Sequence, residues 1–372
     1  MKHIGIPTKI ARHAAAILLT AALCFAFAAC RDGVNEQPPE TMTPTAEDLP
    51  PISGGDYFPT SDYEPTDPNF FTTTGAGDTS LPGGEPQAPV AGGPAQAFPA
   101  PTVLMGQKDP AAKTYTGLRP LEVRPIEMKD PNNSKNLPVT KVAHSFGAAK
   151  DGQVHQISKN YQTFFDQKQY PAVVYDNRSA GKTLYLTFDC GYENGNTAKI
   201  LDVLKEKQTP AAFFCTIDEM KSAPEVVARM IGEGHIVGNH SVTHPSFAAI
   251  DRAAMAKEVL EADNYLRKNF GYSAPFFRFP MGEYTESALE AVGSLGFTSV
   301  FWSAAYSDWD VNQQKGAQYA RDTVLSRLHP GAIVLLHSVS NDNAEAMAQI
   351  IDRAREEGYT FRKLTDLPIF LS

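Results

Sequence analysis

The second half of this sequence predicts an α/β fold on a parallel sheet. From Gly181 onward, apolar runs of strand length alternate with amphipathic segments of helix length, and polar residues collect where those runs end. The stretch before Lys108 shows no such pattern. Of 28 prolines, 15 fall between Arg31 and Pro110. Residues Arg31 to Gln107 carry one Arg, no Lys and eleven acids, a local charge of −10 that accounts for the chain's net −9. Lys108 to Ser372 is close to neutral, at −2, so no basic field for nucleic acid exists. Those residues suffice for one large α/β domain or a barrel with an extension. Collagen, coiled coil and a multi-span membrane protein are excluded.

At the N-terminus, Lys2, Lys9 and Arg12 precede the uncharged run Ala14 to Ala29, which ends in small residues. This is the architecture of an export signal over residues 1–30, and the run is short for a membrane span. Phe27-Ala28-Ala29-Cys30 resembles a bacterial lipobox, which would place a lipid on Cys30; simple cleavage at Ala26-Phe27-Ala28 is the alternative. Either way an extracytoplasmic protein is expected, anchored to the membrane as a lipoprotein or else secreted. Residues 31–107, rich in Pro, Gly, Ser, Thr and acids, read as a disordered tether whose apolar content cannot offset chain entropy. Its average reach is about 45–50 Å. Residues 108–180 are less regular and read as an N-terminal extension packed on a catalytic domain at 181–372. Within it, QISKNYQTFFDQ is helical in pattern, and His144 and His155 have no partner at ligand spacing.

The elements follow in order. Strand TLYLTFD (Thr183 to Asp189) leads to a helix near Asn196 to Lys207, then strand PAAFFC and a helix over Ala223 to Gly232. A strand at His235 to Gly238 precedes a long helix, Asp251 to Asn269, with Gly271 as its stop signal. Strand PFFRFP, a helix over Thr285 to Leu295 and strand FTSVFW come next, followed by a helix around Gln318 to Leu328 and strand AIVLLH. Helix Asn343 to Glu357 and strand YTFRKL complete seven strands. Right-handed βα units of this kind form an open parallel sheet or a barrel. No GxGxxG or GxxxxGK[ST] follows any strand, so no nucleotide is expected as a ligand.

In such folds chemistry sits at the C-terminal strand ends. There the sequence places Asp189-Cys190, Asn239-His240 to His244-Pro245, Arg278 to Gly282, Asp308-Trp309-Asp310 and Leu336-His337. His240 and His244 are four apart, and a helical turn between them would put both imidazoles on one face, as a pair of metal ligands requires. His235 reads as a packing residue and His329, before Pro330, as a turn residue. Tyr192, Tyr284, Trp302, Tyr306 and Trp309 lie near the same ends, with core packing preferred for Trp302.

TFDCGYENG, HSVTHP, RFPMG, SDWD and LLHS, in that order, closely resemble the motifs of the polysaccharide deacetylases with NodB homology, carbohydrate esterase family 4, over about Lys182 to Leu367. GYENGNT and LLHSVSNDNAEAM look most like the delta-lactam-biosynthetic peptidoglycan de-N-acetylases, which act on N-acetylmuramic acid. The resemblance implies a distorted seven-stranded (β/α) barrel. It also implies Asp189 as general base, His240 and His244 as metal ligands and His337 as general acid, with Arg278 supporting the base and Asp308 the acid. The implied cofactor is a divalent ion, Zn2+ first, with Co2+, Mn2+ or Ni2+ as alternatives. Tyr192, Met281, Tyr284, Trp309 and Leu336 are the expected substrate contacts, the Met281 N–H serving as an oxyanion donor. Expected partners are peptidoglycan or a related glycan and, through the lipid, a membrane.

Most members of that family carry a second Asp where this chain has Cys190. Three readings stand open for it: a thiolate ligand suited to zinc, a disulfide with Cys215, or a small buried thiol while water fills the metal's open positions. Deacetylation of GlcNAc polymers or acetylated xylan is the rival within the class. A wall-binding lipoprotein with a decayed metal site is the rival outside it; the full acid–base set argues against decay.

Overall fold

The structure, a computed structural model, describes residues 101–179 and 181–368. The stretches read as an export signal, with Cys30, and as a tether, as far as residue 100, lie outside the described residues. No helix among the described residues is long and apolar enough to cross a membrane.

In chain order the first elements are β1 (Leu104–Met105), β2 (Val142–Ala143), α1 (Gln156–Lys168), β3 (Ala172–Val173), β4 (Thr183–Cys190), α2 (Asn196–Glu206) and β5 (Ala212–Cys215). Then come α3 (Ile217–Ser222), α4 (Pro224–Gly232), β6 (Ile236–Asn239), α5 (Arg252–Phe270), β7 (Tyr272–Ser273), β8 (Phe276–Phe277) and β9 (Glu283–Tyr284). The chain continues through α6 (Glu286–Ser294), β10 (Thr298–Val300), α7 (Ala317–Ser326), β11 (Ala332–His337), α8 (Asn341–Glu356) and β12 (Thr360–Phe361).

Seven strands form one curled, wholly parallel wall in the order β11-β4-β5-β6-β8-β10-β3. All eight residues of β4 are buried, as expected for a central parallel strand covered on both faces. The seam between the two ends of the wall has no continuous strand ladder among the described residues; isolated bridges, Ala304 to Val334 and Tyr175 to Ala332, cross it. The result is the distorted barrel expected.

Its seventh strand is not the one expected. The YTFRKL segment contributes only β12, which pairs off the path with the start of β4, while β3, from the segment before Gly181, completes the wall. Further residues of that segment run along α5: Leu121 N–H donates to Arg267 O at 2.9 Å, and Arg124 and Asn264 exchange two hydrogen bonds of 2.7 Å. β1, inside the stretch read as tether, pairs with β7.

Helix α5 shows how local sequence sets the boundaries. Asp251 caps it by accepting from Ala254 N–H at 2.8 Å, and Gly271 ends it at φ 62°. A Cβ on Gly271 would stand 2.4 Å from Arg119 O, so glycine also makes room for the N-terminal segment.

Candidate active site

Asp189 ends the interior face of β4 and is 8% exposed. Its Oδ1 accepts from Arg278 Nη1 at 2.7 Å, and its Oδ2 lies 3.5 Å from His240 Nε2. Burial alone would raise this carboxyl; the Arg278 guanidinium, helped by His240 and His337, outweighs burial and holds it below the ordinary carboxylate value. Arg278 is fully buried, and its remaining donors go to Thr187 Oγ1, Val300 O and Phe301 O. Its guanidinium carbon sits 4.2 Å from the centre of the Phe214 ring. A planar fork fixed on every side gives Asp189 one position.

His240 and His244 come together, though not by the helical turn expected. Residues 240–246 are irregular, with Ser241 at φ 71° and His244 at φ 56°, left-handed conformations that side-chain-bearing residues seldom adopt. Such a path is held by its neighbours. Ser241 N–H donates to Asn239 Oδ1 at 2.9 Å and His244 N–H to Ser241 Oγ at 3.0 Å. The Glu258 carboxylate, from α5, accepts from Val242 N–H, Thr243 N–H and Thr243 Oγ1, each at 2.8 Å.

His240 Nδ1 lies 2.9 Å from Arg278 O. A carbonyl only accepts, so Nδ1 carries the hydrogen and Nε2 presents a lone pair. Burial lowers the pKa of both rings, that of His244 to about 3, so both are neutral at physiological pH. Their Nε2 atoms stand 3.2 Å apart. Two imidazole nitrogens on a tetrahedral zinc, each about 2.0–2.1 Å from it, would be separated by roughly 3.3 Å. The pair therefore fits a divalent ion in chemistry and spacing. Among the described residues no group of three or more His, Cys, Asp or Glu gathers into a metal-holding set.

His337 ends β11, directly opposite Asp189 in the β4–β11 register. Its Nδ1 lies 2.7 Å from Asp308 Oδ1, and its backbone N–H donates to Asp308 Oδ2 at 2.8 Å. Burial disfavours the charged ring, but Asp308 and Asp189 overcome it and raise the pKa above the usual histidine value. The site thus joins a carboxylate biased toward its ionised form to an imidazole biased toward its protonated form, which is the division general acid–base catalysis needs.

Other expected residues divide. Tyr192 is 49% exposed, and partial burial, with the Asp310 charge adding to it, raises its hydroxyl pKa. Half-buried Trp309 stands edge-on to His337, with ring centroids 6.2 Å apart. Met281 sits at φ 59° in a turn held by Gly282 N–H to Phe279 O at 3.0 Å and His144 N–H to Gly282 O at 2.9 Å. Gly282, at φ 66°, is required there, because a Cβ would meet Trp302 at 2.8 Å.

Three expectations need correction. Tyr284 is fully buried among Phe165, Phe279 and Phe301, because β9 folds back against β2; it is a core residue rather than a substrate contact. Leu336 is likewise fully buried, since strand alternation turns it to the face opposite His337. Cys190 does not join the histidines as a thiolate ligand. Alternation turns it away from Asp189 and against Cys215, its register partner on β5; both thiols are free and fully buried, and burial pushes the Cys190 thiol well up. The buried-thiol reading is the one the structure describes.

The remaining histidines among the described residues are structural. His235 packs edge-on to Phe213 and accepts from Ala211 N–H, and His155 caps α1. His144 is buried against Tyr161, Phe301 and Trp302. His329 is a fully buried link from Pro330 O to Ser303 Oγ rather than an exposed turn residue. Sequence reasoning missed Thr187, Glu258 and Asn343, which bond the site residues from behind. Thr187 was within reach, being two residues before Asp189 on the same strand face.

Fold and site define a hydrolase on a distorted parallel barrel, of the carbohydrate esterase type. The chain belongs to the polysaccharide deacetylase family, carbohydrate esterase family 4. The profile described as "Polysaccharide deacetylase" matches residues 176–300. Peptidoglycan-N-acetylmuramic acid deacetylase PdaA of Bacillus subtilis (strain 168) is 44% identical over 187 residues, 50% of this chain and 71% of that protein. The solved structure of B. subtilis PdaA superposes with a TM-score of 0.58 at 38% identity, covering 62% of this chain and 98% of the other. A family 4 carbohydrate esterase from Bacillus anthracis gives 0.50 at 37% identity, covering 62% and 97%. The chitooligosaccharide deacetylase of Sinorhizobium fredii is 31% identical over 212 residues, 53% of this chain and 97% of that protein.

Proposed function

We propose that this deacetylase removes acetyl groups from the N-acetylmuramic acid of peptidoglycan, with a divalent ion on His240 and His244 and water or substrate in the ion's other positions. The observation that carries the reading is the placement of Asp189, bonded to Arg278, directly opposite His337, bonded to Asp308, across one strand register and beside the two histidines. The 44% identity to a peptidoglycan-N-acetylmuramic acid deacetylase supports the choice of sugar.

When bound, the ion, Zn2+ or alternatively Co2+, Mn2+ or Ni2+, supplies a Lewis acid that polarises the acetyl carbonyl and acidifies water. Asp189 takes the proton of the attacking water at Oδ2, because Oδ1 is held by Arg278. The Met281 N–H, at the left-handed turn, donates to the oxyanion that develops on the carbonyl. His337, its Nδ1 committed to Asp308, delivers a proton from Nε2 to the sugar nitrogen as the C–N bond breaks. Acetate and a free amine leave. Tyr192 and Trp309 flank the opening and stack on the glycan.

The protein works outside the cytoplasm, tethered through a lipid on Cys30 by the Pro-rich segment. Full-length protein incubated with peptidoglycan and metal should yield muropeptides lacking the acetyl group on muramic acid in fragment-ion spectra. Loss from glucosamine alone, or activity confined to GlcNAc oligomers or acetylated xylan, would replace this substrate assignment with the rival one.

A further inference from the structure

The turn after His337 gathers contacts that the mechanism above leaves unused. Asn343 lies in the first turn of α8 and is fully buried. Its Nδ2 donates to Asp308 Oδ2 at 2.5 Å and to His337 O at 3.2 Å. The Tyr306 hydroxyl donates to Asn343 Oδ1 at 2.6 Å. The Asp308 carboxylate and the His337 carbonyl only accept, which fixes the amide NH2 on their side and turns Oδ1 to the Tyr306 hydroxyl, which must then donate. Asp308 Oδ2 therefore receives two donors, Asn343 Nδ2 and the His337 backbone N–H, which leaves Oδ1 aligned with the imidazole.

The surrounding turn is braced from both sides. Asn194 and Asn196 both donate to Val339 O, at 2.8 and 3.0 Å. Asp342 accepts from Lys315 N–H and Gly316 N–H at 2.7 Å each, and Ser340 Oγ donates to Gln314 Oε1 at 2.7 Å. The two segments GYENGNT and SVSNDNAEAM thus meet behind the imidazole and tie the Asp308 loop to it.

We propose that Asn343, oriented by Tyr306, is a positioning residue that holds the Asp308 carboxylate on His337 and so keeps the imidazole in place to protonate the leaving amine. The inference rests on the reading of His337 as the general acid. Besides Asp308, the charged or titratable groups facing His337 are Asp189 on β4, Arg278 beyond β8, and His240 and His244 beyond β6. None of these makes a hydrogen bond or ion pair with Asn343, so its replacement acts on the His337 imidazole through Asp308, and on the His337 backbone through the lost bond to its carbonyl.

The test compares full-length wild type, Asn343→Ala, Tyr306→Phe and His337→Ala on an N-acetylated glycan and on an aryl acetate ester, whose leaving group needs no proton, with kcat followed across pH. Asn343→Ala should lower kcat on the amide by about tenfold or more, a share of the roughly 10²–10⁴ that a general acid supplies. It should move the alkaline limb of the amide profile to lower pH and leave ester hydrolysis within about twofold. Tyr306→Phe should shift both amide readouts the same way by less. An Asn343→Ala enzyme with wild-type amide turnover and limb, or with equal losses on both substrates, would overturn the positioning role. If that variant does not fold, Tyr306→Phe decides: a selective amide loss supports the inference and no selective loss refutes it. Equal losses for His337→Ala would instead remove the general-acid reading, and the inference with it.

Discussion

Replacing Arg278 with Met keeps an unbranched apolar stem while deleting the guanidinium, and with it the charge that faces Asp189. In the folded protein these groups are 2.7 Å apart at their nearest atoms, with Arg278 fully buried and Asp189 8% exposed. At an effective dielectric of about 20, charges roughly 4 Å apart attract by about 4 kcal/mol, and breaking one side of a buried pair costs about 3–5 kcal/mol because the other charge is stranded. The carbonyls of Val300 and Phe301 also lose a donor, although such losses do not simply add. Arg278→Met should therefore lose about 3–5 kcal/mol, or about 6–20 °C in midpoint for a domain of this size. Trp302, buried 5.8 Å from the guanidinium, is one of two tryptophans and reports unfolding in urea by fluorescence. The double variant Asp189→Asn/Arg278→Met removes both charges and should recover about 2 kcal/mol or more relative to the sum of the singles. A single variant within about 1 kcal/mol of wild type, or a purely additive cycle, would refute the reasoning.

His240→Ala and His244→Ala should each abolish stoichiometric zinc in elemental analysis while near-UV circular dichroism stays native; full metal content in either would contradict the paired-ligand assignment. His337 has a raised folded pKa, so its contribution to stability is complete below its unfolded value, near 6.5, and is lost as pH rises through the folded one. The stability deficit of His337→Gln should accordingly shrink from about pH 5.5 to pH 9 in urea titrations, and a deficit that grows with pH would reverse the sign argued here. Glu258→Ala releases three hydrogen bonds on the strained His240–His244 loop and should weaken zinc affinity by about tenfold in competition with a chelator. Glu258→Gln can keep all three, since the Thr243 hydroxyl can rotate to accept, and should bind zinc almost as wild type does; equal losses for both variants would point to charge instead of position.

Strand β11 could be read from sequence to the residue, because an unbroken apolar run lies between Gly331 and a polar turn. The site residues were legible for a related reason: parallel strands deliver their last residues to one rim, so polar groups at successive apolar ends had to converge. What escaped depends on contacts distant in sequence. Two residues, Ala172 and Val173, carry no periodicity, and only their pairing with β10 makes β3 part of the wall. The loop from His240 to His244 looked helical by spacing, yet Glu258, fourteen residues beyond His244, holds it in left-handed conformations. Tyr284 and Leu336 sit beside site residues in the chain but face the core, and which face is covered is settled only by tertiary packing.

Acetate release from peptidoglycan, followed by proton NMR for wild type and Asp189→Asn at equal zinc content, tests the central claim most directly. Asp189→Asn keeps side-chain size and both histidines, so glycan and metal should still bind while acetate release falls by about 10²-fold or more, the scale of a lost general base. An Asp189→Asn enzyme that releases acetate within a few-fold of wild type would contradict the assignment of Asp189 as the base.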